Sequence, residues 1–213
     1  LRDTRTMGKL IEMIGGSVHF FDNCMKIDTN NCDKPVAPYE LVKTMRASFY
    51  VLGPFMSRYN YAEVSLPGGC AWGPRPVDFH LKALEAMGAT IDLESGNLIS
   101  KGKLKGTDIN FEKVSVGATG NTLMAAVKAE GTTNIYNASY EPEITDLIEF
   151  LKKMGAKIDG KDSNTLSVNG KNELNGDFEY DIIPASILSG IISYSKSPFY
   201  SFFLLTAIVL ESF

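Results

Sequence analysis

The feature that most constrains this chain is a helix ending that recurs three times. "TMGKLIEMIGGSV", "FHLKALEAMGATI" and "DLIEFLKKMGAKI" each carry apolar residues at three- and four-residue spacing, then a glycine, then a β-prone stretch. Such spacing marks an amphipathic helix, and a glycine just past its end supplies the left-handed backbone that closes it. The marker glycines, Gly15, Gly88 and Gly155, stand 73 and 67 residues apart. After each, a strand passes into a second helix near Arg46, Gly117 and Pro184, at offsets of 31, 29 and 29 residues. Two β-like segments lie between, as in "ATIDLESGNLISKG" with its Ser-Gly turn. The repeating unit is therefore helix, strand, strand, strand, helix, strand, used about three times. The second helices of the first two units, "RASFYVLGPFMSRYN" and "GNTLMAAVKAEG", are too apolar to face water all round. They are expected to form a central helical core surrounded by sheets.

Composition narrows the function. With 213 residues, 44% hydrophobic and 22% charged, the chain reads as a globular α/β protein with a sizeable core. A net charge of −4 with no basic stripe argues against nucleic acid as a partner. Cys24, Cys32 and Cys70 are scattered, with no CxxC pair, so neither a disulfide framework nor a zinc site is expected. That usage fits a reducing, cytoplasmic setting. No HExxH, GxSxG or EF-hand pattern occurs, and no secretory leader is expected. The apolar heart of the C-terminal run, Phe199 to Leu210, is too short for a membrane span, which takes roughly 20 residues.

Chemistry concentrates at the strand-to-helix junctions. "VSLPGGCAWGPRPVDFH" puts Cys70 on a glycine-rich loop, with Arg75 just before a helix opened by Pro76 and carrying Asp78 in its first turn. Helix-start amides and an arginine both favour an anion, and positive charge beside a thiol raises its acidity. Gly68, Gly69 and Gly73 would let the loop close over a ligand. Read from the residues alone, a surface turn with an incidental cysteine is the slightly favoured alternative. Lys43 and Arg46 stand at another junction; Lys113 and Ser115 precede the turn Gly117 to Gly120 that opens a third helix. That turn lacks the Walker and dinucleotide patterns. Three junctions with cationic or glycine-rich ends suggest a surface prepared for an anionic ligand. Of the two histidines, His19 reads as a core residue of the strand "SVHFF" and His80 as a solvated position.

Together "PYELVKTMRAS", "SLPGGCAWGPRPVDFHLKALEAMGA", "KVSVGATGNTLMAA", "AEGTTNIYNASYEPEI" and "DLIEFLKKMGAKI" resemble the enolpyruvyl transferases, specifically the UDP-N-acetylglucosamine 1-carboxyvinyltransferases of peptidoglycan synthesis. The resemblance implies an inside-out barrel domain of repeated helix and strand units around a central helical core. It implies transfer of the enolpyruvyl group of phosphoenolpyruvate to the 3′-hydroxyl of UDP-N-acetylglucosamine, with no metal and no organic cofactor. By motif, Cys70 matches a mobile-loop proton donor, the thiol alkylated by fosfomycin, and Arg75 an arginine that engages the phosphate of phosphoenolpyruvate. Arg46 matches a further active-site arginine. The segments Arg75, Pro76, Val77, Asp78, Phe79 and Lys113, Val114, Ser115, Val116, Gly117 match those that hold the UDP-sugar.

The sequence also departs from that family. The family's Lys-Asn pair and second domain, with a catalytic aspartate, are expected to be missing; Trp72 replaces a smaller residue, and Ala185-Ser186 an Asp-Arg. Residues 1–184 are read as the transferase domain and 185–213 as an apolar tail foreign to it. Codons can be chosen so that Ser186 to Pro198, read antisense, encode Gly176 to Pro184 and then the family's continuation, as an inverted DNA copy would. The chain is accordingly expected to be an incomplete enzyme, inactive alone. The competing readings are a non-catalytic remnant with weak nucleotide-sugar binding and an unrelated enzyme with Cys70 as nucleophile.

Overall fold

A computed structural model describes residues 2–22, 24–43, 46–66 and 77–181, with the backbone alone at 2–4 and 46–48. Cys70, Arg75, Pro76 and the tail 185–213 lie outside the described residues. The first stretch runs α1 (Arg2–Met13), β1 (Ser17–Phe21), β2 (Cys24–Asp28), β3 (Val36–Ala37), a short α2 (Tyr39–Val42), a 3-10 helix (Arg46–Val51), α3 (Leu52–Tyr59) and β4 (Tyr61–Ser65). The second runs α4 (Asp78–Ala86), β5 (Thr90–Glu94), β6 (Asn97–Lys101), β7 (Asp108–Asn110), α5 (Val116–Ala126) and β8 (Thr132–Tyr136). A third begins with α6 (Pro142–Lys153), β9 (Lys157–Asp159) and β10 (Thr165–Asn169).

The repeat is visible bond by bond at the helix ends. Gly15, Gly88 and Gly155 sit at φ of +108°, +98° and +98°, a region that costs other residues a Cβ clash. Each donates its N–H to the carbonyl three residues back: Gly15 to Glu12 (3.1 Å), Gly88 to Glu85 and Gly155 to Lys152 (2.9 Å each). The next N–H reaches five back at 2.9 Å, from Gly16 to Ile11, Ala89 to Leu84 and Ala156 to Leu151. These paired bonds are Schellman closures, which satisfy carbonyls the helix leaves over. The carbonyl just before each glycine then accepts from returning chain: Ile14 from Asp33 (3.0 Å), Met87 from Lys105 and Met154 from Asn175 (2.9 Å each). One device is thus built three times.

Each four-stranded sheet joins two strands of one unit to two of the next. The orders are β3-β4-β6-β5 and β7-β8-β10-β9, each with one parallel pair (β3 with β4, β7 with β8) and antiparallel pairs beyond it. β1 and β2 form a separate antiparallel hairpin. At the centre of the helices lies α5, whose residues Ala118 to Ala126 are all buried, packed on α3, α4 and α6. Small and apolar side chains all round allow this, and Thr119 uses its hydroxyl by accepting from the Ser139 N–H at 3.0 Å. The expected α/β architecture around a helical core is the observed one.

Two local expectations need correcting. The helix expected across "RASFYVLGPFMSRYN" is split, 3-10 through Val51 and α from Leu52. Pro54 has no N–H to give the carbonyl four residues back, so a continuous α-ladder cannot pass through that turn. The glycine-rich stretch from Gly117 to Gly120 is not a turn before a helix but already lies within α5. Its N-cap is Ser115, whose hydroxyl oxygen accepts from the Ala118 N–H at 3.3 Å.

Candidate active site

The fold brings three helix starts together. α4 begins at Asp78 with Val77 as its N-cap residue, two positions after Pro76. α5 begins at Val116 after the segment Lys113–Ser115, and the 3-10 helix that starts at Arg46 leads into α3. Of the candidate residues, Val77, Asp78, Phe79 and Lys113 to Gly117 are described with their side chains. Arg46 is placed by its backbone only.

Packing at Gly117 links the three. A Cβ built there would lie 2.7 Å from the Tyr50 Oη and 3.3 Å from the His80 Cε1. Glycine leaves room for both without displacing either ring, so α5 starts against a side chain from the Arg46-bearing 3-10 helix and one from α4. Next to this contact the Phe79 and Phe111 rings stand 6.3 Å apart. Lys82 bridges to Glu112 at 2.9 Å, a hydrogen bond that pushes the Lys82 ammonium pKa up. Val77–Phe79 and the chain entering α5 are therefore neighbours in space, although 30 residues separate Lys82 from Glu112.

Asp78 adds a polar acceptor. Its Oδ1 is buried and has no hydrogen-bond partner among the described residues. A buried, unmatched carboxylate oxygen is costly unless a donor reaches it, which is the condition a bound ligand can meet. Val114, by contrast, is exposed, as are Lys113 and Glu112. A cleft of about 120 Å³ between α4 and β7, lined in part by Phe79, Lys82 and Phe111, is too small for a nucleotide sugar. A larger hollow beside α1, bordered by Arg5, Lys9 and Phe20, includes none of the candidate residues.

The histidines exchange the places expected of them. His19 is exposed, because β1 buries only Val18 on its covered face. His80 is buried, since it shares the inward stripe of α4 with Ala83, Leu84 and Met87. That spacing of three, four and seven was readable in the sequence. Tyr50 and Asn121, which meet around His80, were not singled out; Asn121 carries no sequence signal beyond its place one turn after Gly117.

Comparison with known proteins follows the same lines. A family model described as EPSP synthase (3-phosphoshikimate 1-carboxyvinyltransferase) matches residues 1–191. The UDP-N-acetylglucosamine 1-carboxyvinyltransferase of Acinetobacter baylyi is 54% identical over 192 residues, which cover 89% of this chain and 46% of that protein. Its namesake from Chloroherpeton thalassium is 53% identical over 177 residues, 82% of this chain and 41% of that one. This chain thus spans about half the length of the curated relatives it matches. Among solved structures, the enolpyruvyl transferase NikO from Streptomyces tendae superposes with a TM-score of 0.69 at 22% identity, covering 79% of this chain and 40% of that one. EPSP synthase from Acinetobacter baumannii gives 0.64 at 20%, covering 82% and 41%. Family model, sequence identity and superposed fold agree: the chain belongs to the enolpyruvyl (1-carboxyvinyl) transferase family.

Proposed function

We propose that this chain is a domain of an enzyme that transfers the enolpyruvyl group of phosphoenolpyruvate to the 3′-hydroxyl of UDP-N-acetylglucosamine. The observation that carries the reading is the convergence of Val77–Phe79 and Lys113–Gly117, through Gly117, Tyr50 and His80, in a chain 54% identical to a transferase of that name. The two segments would form the nucleotide-sugar surface, with Asp78 Oδ1 accepting from a donor on the ligand. Helix-start amides of α5 suit an anionic group, because their N–H dipoles point outward.

In the same reading Arg75 and Arg46 neutralise the phosphate of phosphoenolpyruvate. The sugar 3′-hydroxyl attacks C2 as the Cys70 thiol gives its proton to C3; phosphate then leaves from the tetrahedral adduct carrying the hydroxyl proton, and the proton lost again from C3 returns to the Cys70 thiolate. Cationic groups stabilise the charge on the leaving phosphate, and a positioned acid lowers the barrier to protonating carbon. The setting would be cytoplasmic peptidoglycan synthesis, with Cys70 the fosfomycin-reactive thiol. Among the described residues no helix is long and apolar enough to cross a membrane.

Because the chain spans about half of its relatives, we expect it to bind the sugar nucleotide without turning it over. The test is NMR titration of the 213-residue chain with UDP-N-acetylglucosamine beside a phosphate-release assay with both substrates. Saturable shifts at residues 77–79 and 113–117, with no phosphate released, are expected. Shifts absent from both segments would overturn the ligand assignment, and phosphate release would overturn the claim that this chain is inactive alone.

A further inference from the structure

The starts of α4 and α5 and the helix that continues from Arg46 are tied together by one buried amide. Asn121, 2% exposed on α5, accepts at Oδ1 from the Gly53 N–H of α3 at 2.6 Å. Its Nδ2 lies 3.0 Å from the Nδ1 of His80 on α4. Gly53 is the second residue of α3, so its N–H belongs to the helix-start amides that need a partner from outside the helix. Sequence separations of 68 and 41 residues show that neither bond is a by-product of local folding.

The bonds fix one another's polarity. A backbone N–H can only donate, so the Asn121 atom facing Gly53 is the oxygen. The NH₂ is then turned to His80, and since it too can only donate, His80 Nδ1 must accept. The ring proton of His80 therefore sits on Nε2. The edge of the imidazole meets Phe49 at 5.3 Å and 84°, and Tyr50 lies 5.9 Å away, both from the 3-10 helix of Arg46. His80 Cε1 borders Gly117, the second residue of α5 and the last of the candidate ligand segment.

We infer that Asn121 is a positioning residue: its amide holds α3, α4 and α5 in the single register that sets Val77–Phe79 against Val116–Gly117. It touches no reacting atom. It acts by fixing the tautomer and ring plane of His80 and the approach of α3, and so the shape of the surface between the junctions. The inference deepens the nucleotide-sugar reading and, for its effect on binding, rests on it.

Asn121→Asp tests it with almost no change in volume. The carboxylate still accepts from Gly53 but can no longer donate to His80, so the ring must carry a proton on Nδ1, by tautomer shift or as imidazolium. The chain has only two histidines, and exposed His19 serves as an internal reference for long-range ¹H–¹⁵N correlation spectra. In the unaltered chain His80 Nδ1 should show an unprotonated, hydrogen-bonded nitrogen, and in Asn121→Asp a protonated one. Hydrogen exchange at residues 77–79 and 115–118 should quicken, and UDP-N-acetylglucosamine should bind about tenfold more weakly, with far-UV circular dichroism unchanged. His80→Asn, whose Oδ1 stands where Nδ1 stood but which lacks the ring, should keep more of the normal exchange protection and affinity than His80→Leu, which removes the acceptor too; this pair decides the matter if Asn121→Asp fails to fold. A protonated Nδ1 in the unaltered chain, or unaltered exchange in both Asn121→Asp and His80→Leu, would overturn the inference. If the His80 signature and the exchange changes appear while neither chain binds the sugar, the ligand reading falls and the positioning role stands.

Discussion

Gly53→Ala gives the sharpest test of how the central helices meet. A Cβ on Gly53 would lie 2.3 Å from the Asn121 carbonyl oxygen and 2.4 Å from its Oδ1. Nonbonded atoms need well over 3 Å, so α3 must draw back from α5 by roughly 1 Å. Forcing such a contact in a packed core costs about 1–3 kcal/mol, and stretching the buried Gly53–Asn121 bond adds about 1–3 kcal/mol. Opposing these, alanine gains up to about 1 kcal/mol over glycine in a helix. The net loss is roughly 3 kcal/mol, or a fall in Tm of about 6–12 °C for a domain of this size. Scanning calorimetry of the 213-residue chain measures it. Gly96→Ala is the control: Gly96 sits at φ +84° in the β5–β6 turn with nothing within 4 Å, so only backbone strain of about 1 kcal/mol applies. If Gly53→Ala were neutral or stabilising, as alanine is in an unobstructed helix, the close approach of α3 and α5 would be wrong, and with it the seat of Asn121.

Three further outcomes follow from polar groups away from the junctions. Tyr59 donates to the Cys32 carbonyl at 2.7 Å, and burial pushes its phenol pKa up to about 12. Its folded value lies above its unfolded one, so the stability it contributes is complete below pH 10 and is lost as pH rises through 12. Absorbance titration should show a tyrosine ionising near pH 12 that is lost in Tyr59→Phe, together with about 1 kcal/mol of stability. Asp146 is buried, with Oδ1 accepting from the Tyr180 hydroxyl at 2.6 Å and Oδ2 unmatched among the described residues; burial holds its pKa above the ordinary carboxylate range. The fold therefore loses stability as pH rises through that raised value, and thermal melts should show Asp146→Asn gaining on the unaltered chain from pH 4 to pH 7. Ser115→Ala removes the cap of α5 and should cost about 1 kcal/mol in denaturant unfolding, whereas Ser115→Asp should restore it.

Which parts of this architecture the sequence discloses has a physical pattern. The helix ends at Gly15, Gly88 and Gly155 are legible because a Schellman closure needs one residue type at one place, and the neighbouring apolar stripe fixes the phase. The β5–β6 hairpin is legible for the same reason, Ser95 and Gly96 both taking positive φ. His19 and His80 are misplaced because a lone histidine has no preferred side of the surface; only its phase against Val18, or against Ala83, Leu84 and Met87, decides burial. The Gly53–Asn121 approach is silent, because it is made between elements 68 residues apart and leaves no local mark on either. Val77–Phe79 and Lys113–Gly117 could be named from motif, but their adjacency is a property of packing.

The same contrast explains how one repeated unit makes an asymmetric surface. Helix ends must be alike in every unit, since each has to return its chain to an antiparallel strand pair, and the three closures agree to the individual bond. Helix starts carry no such demand. At one the chain winds as a 3-10 helix ahead of Pro54, at another Ser115 caps α5, and at a third α4 opens on Val77 with no side-chain cap. Residues freed from closing the fold can be spent on shape and charge, and so the starts, not the ends, differ in chemistry while facing one another across Asn121 and Gly117. On this account, exchanging the three glycine closures among units should leave ligand binding alone, whereas moving the Ser115 cap segment to the start of α4 should abolish binding and keep the fold.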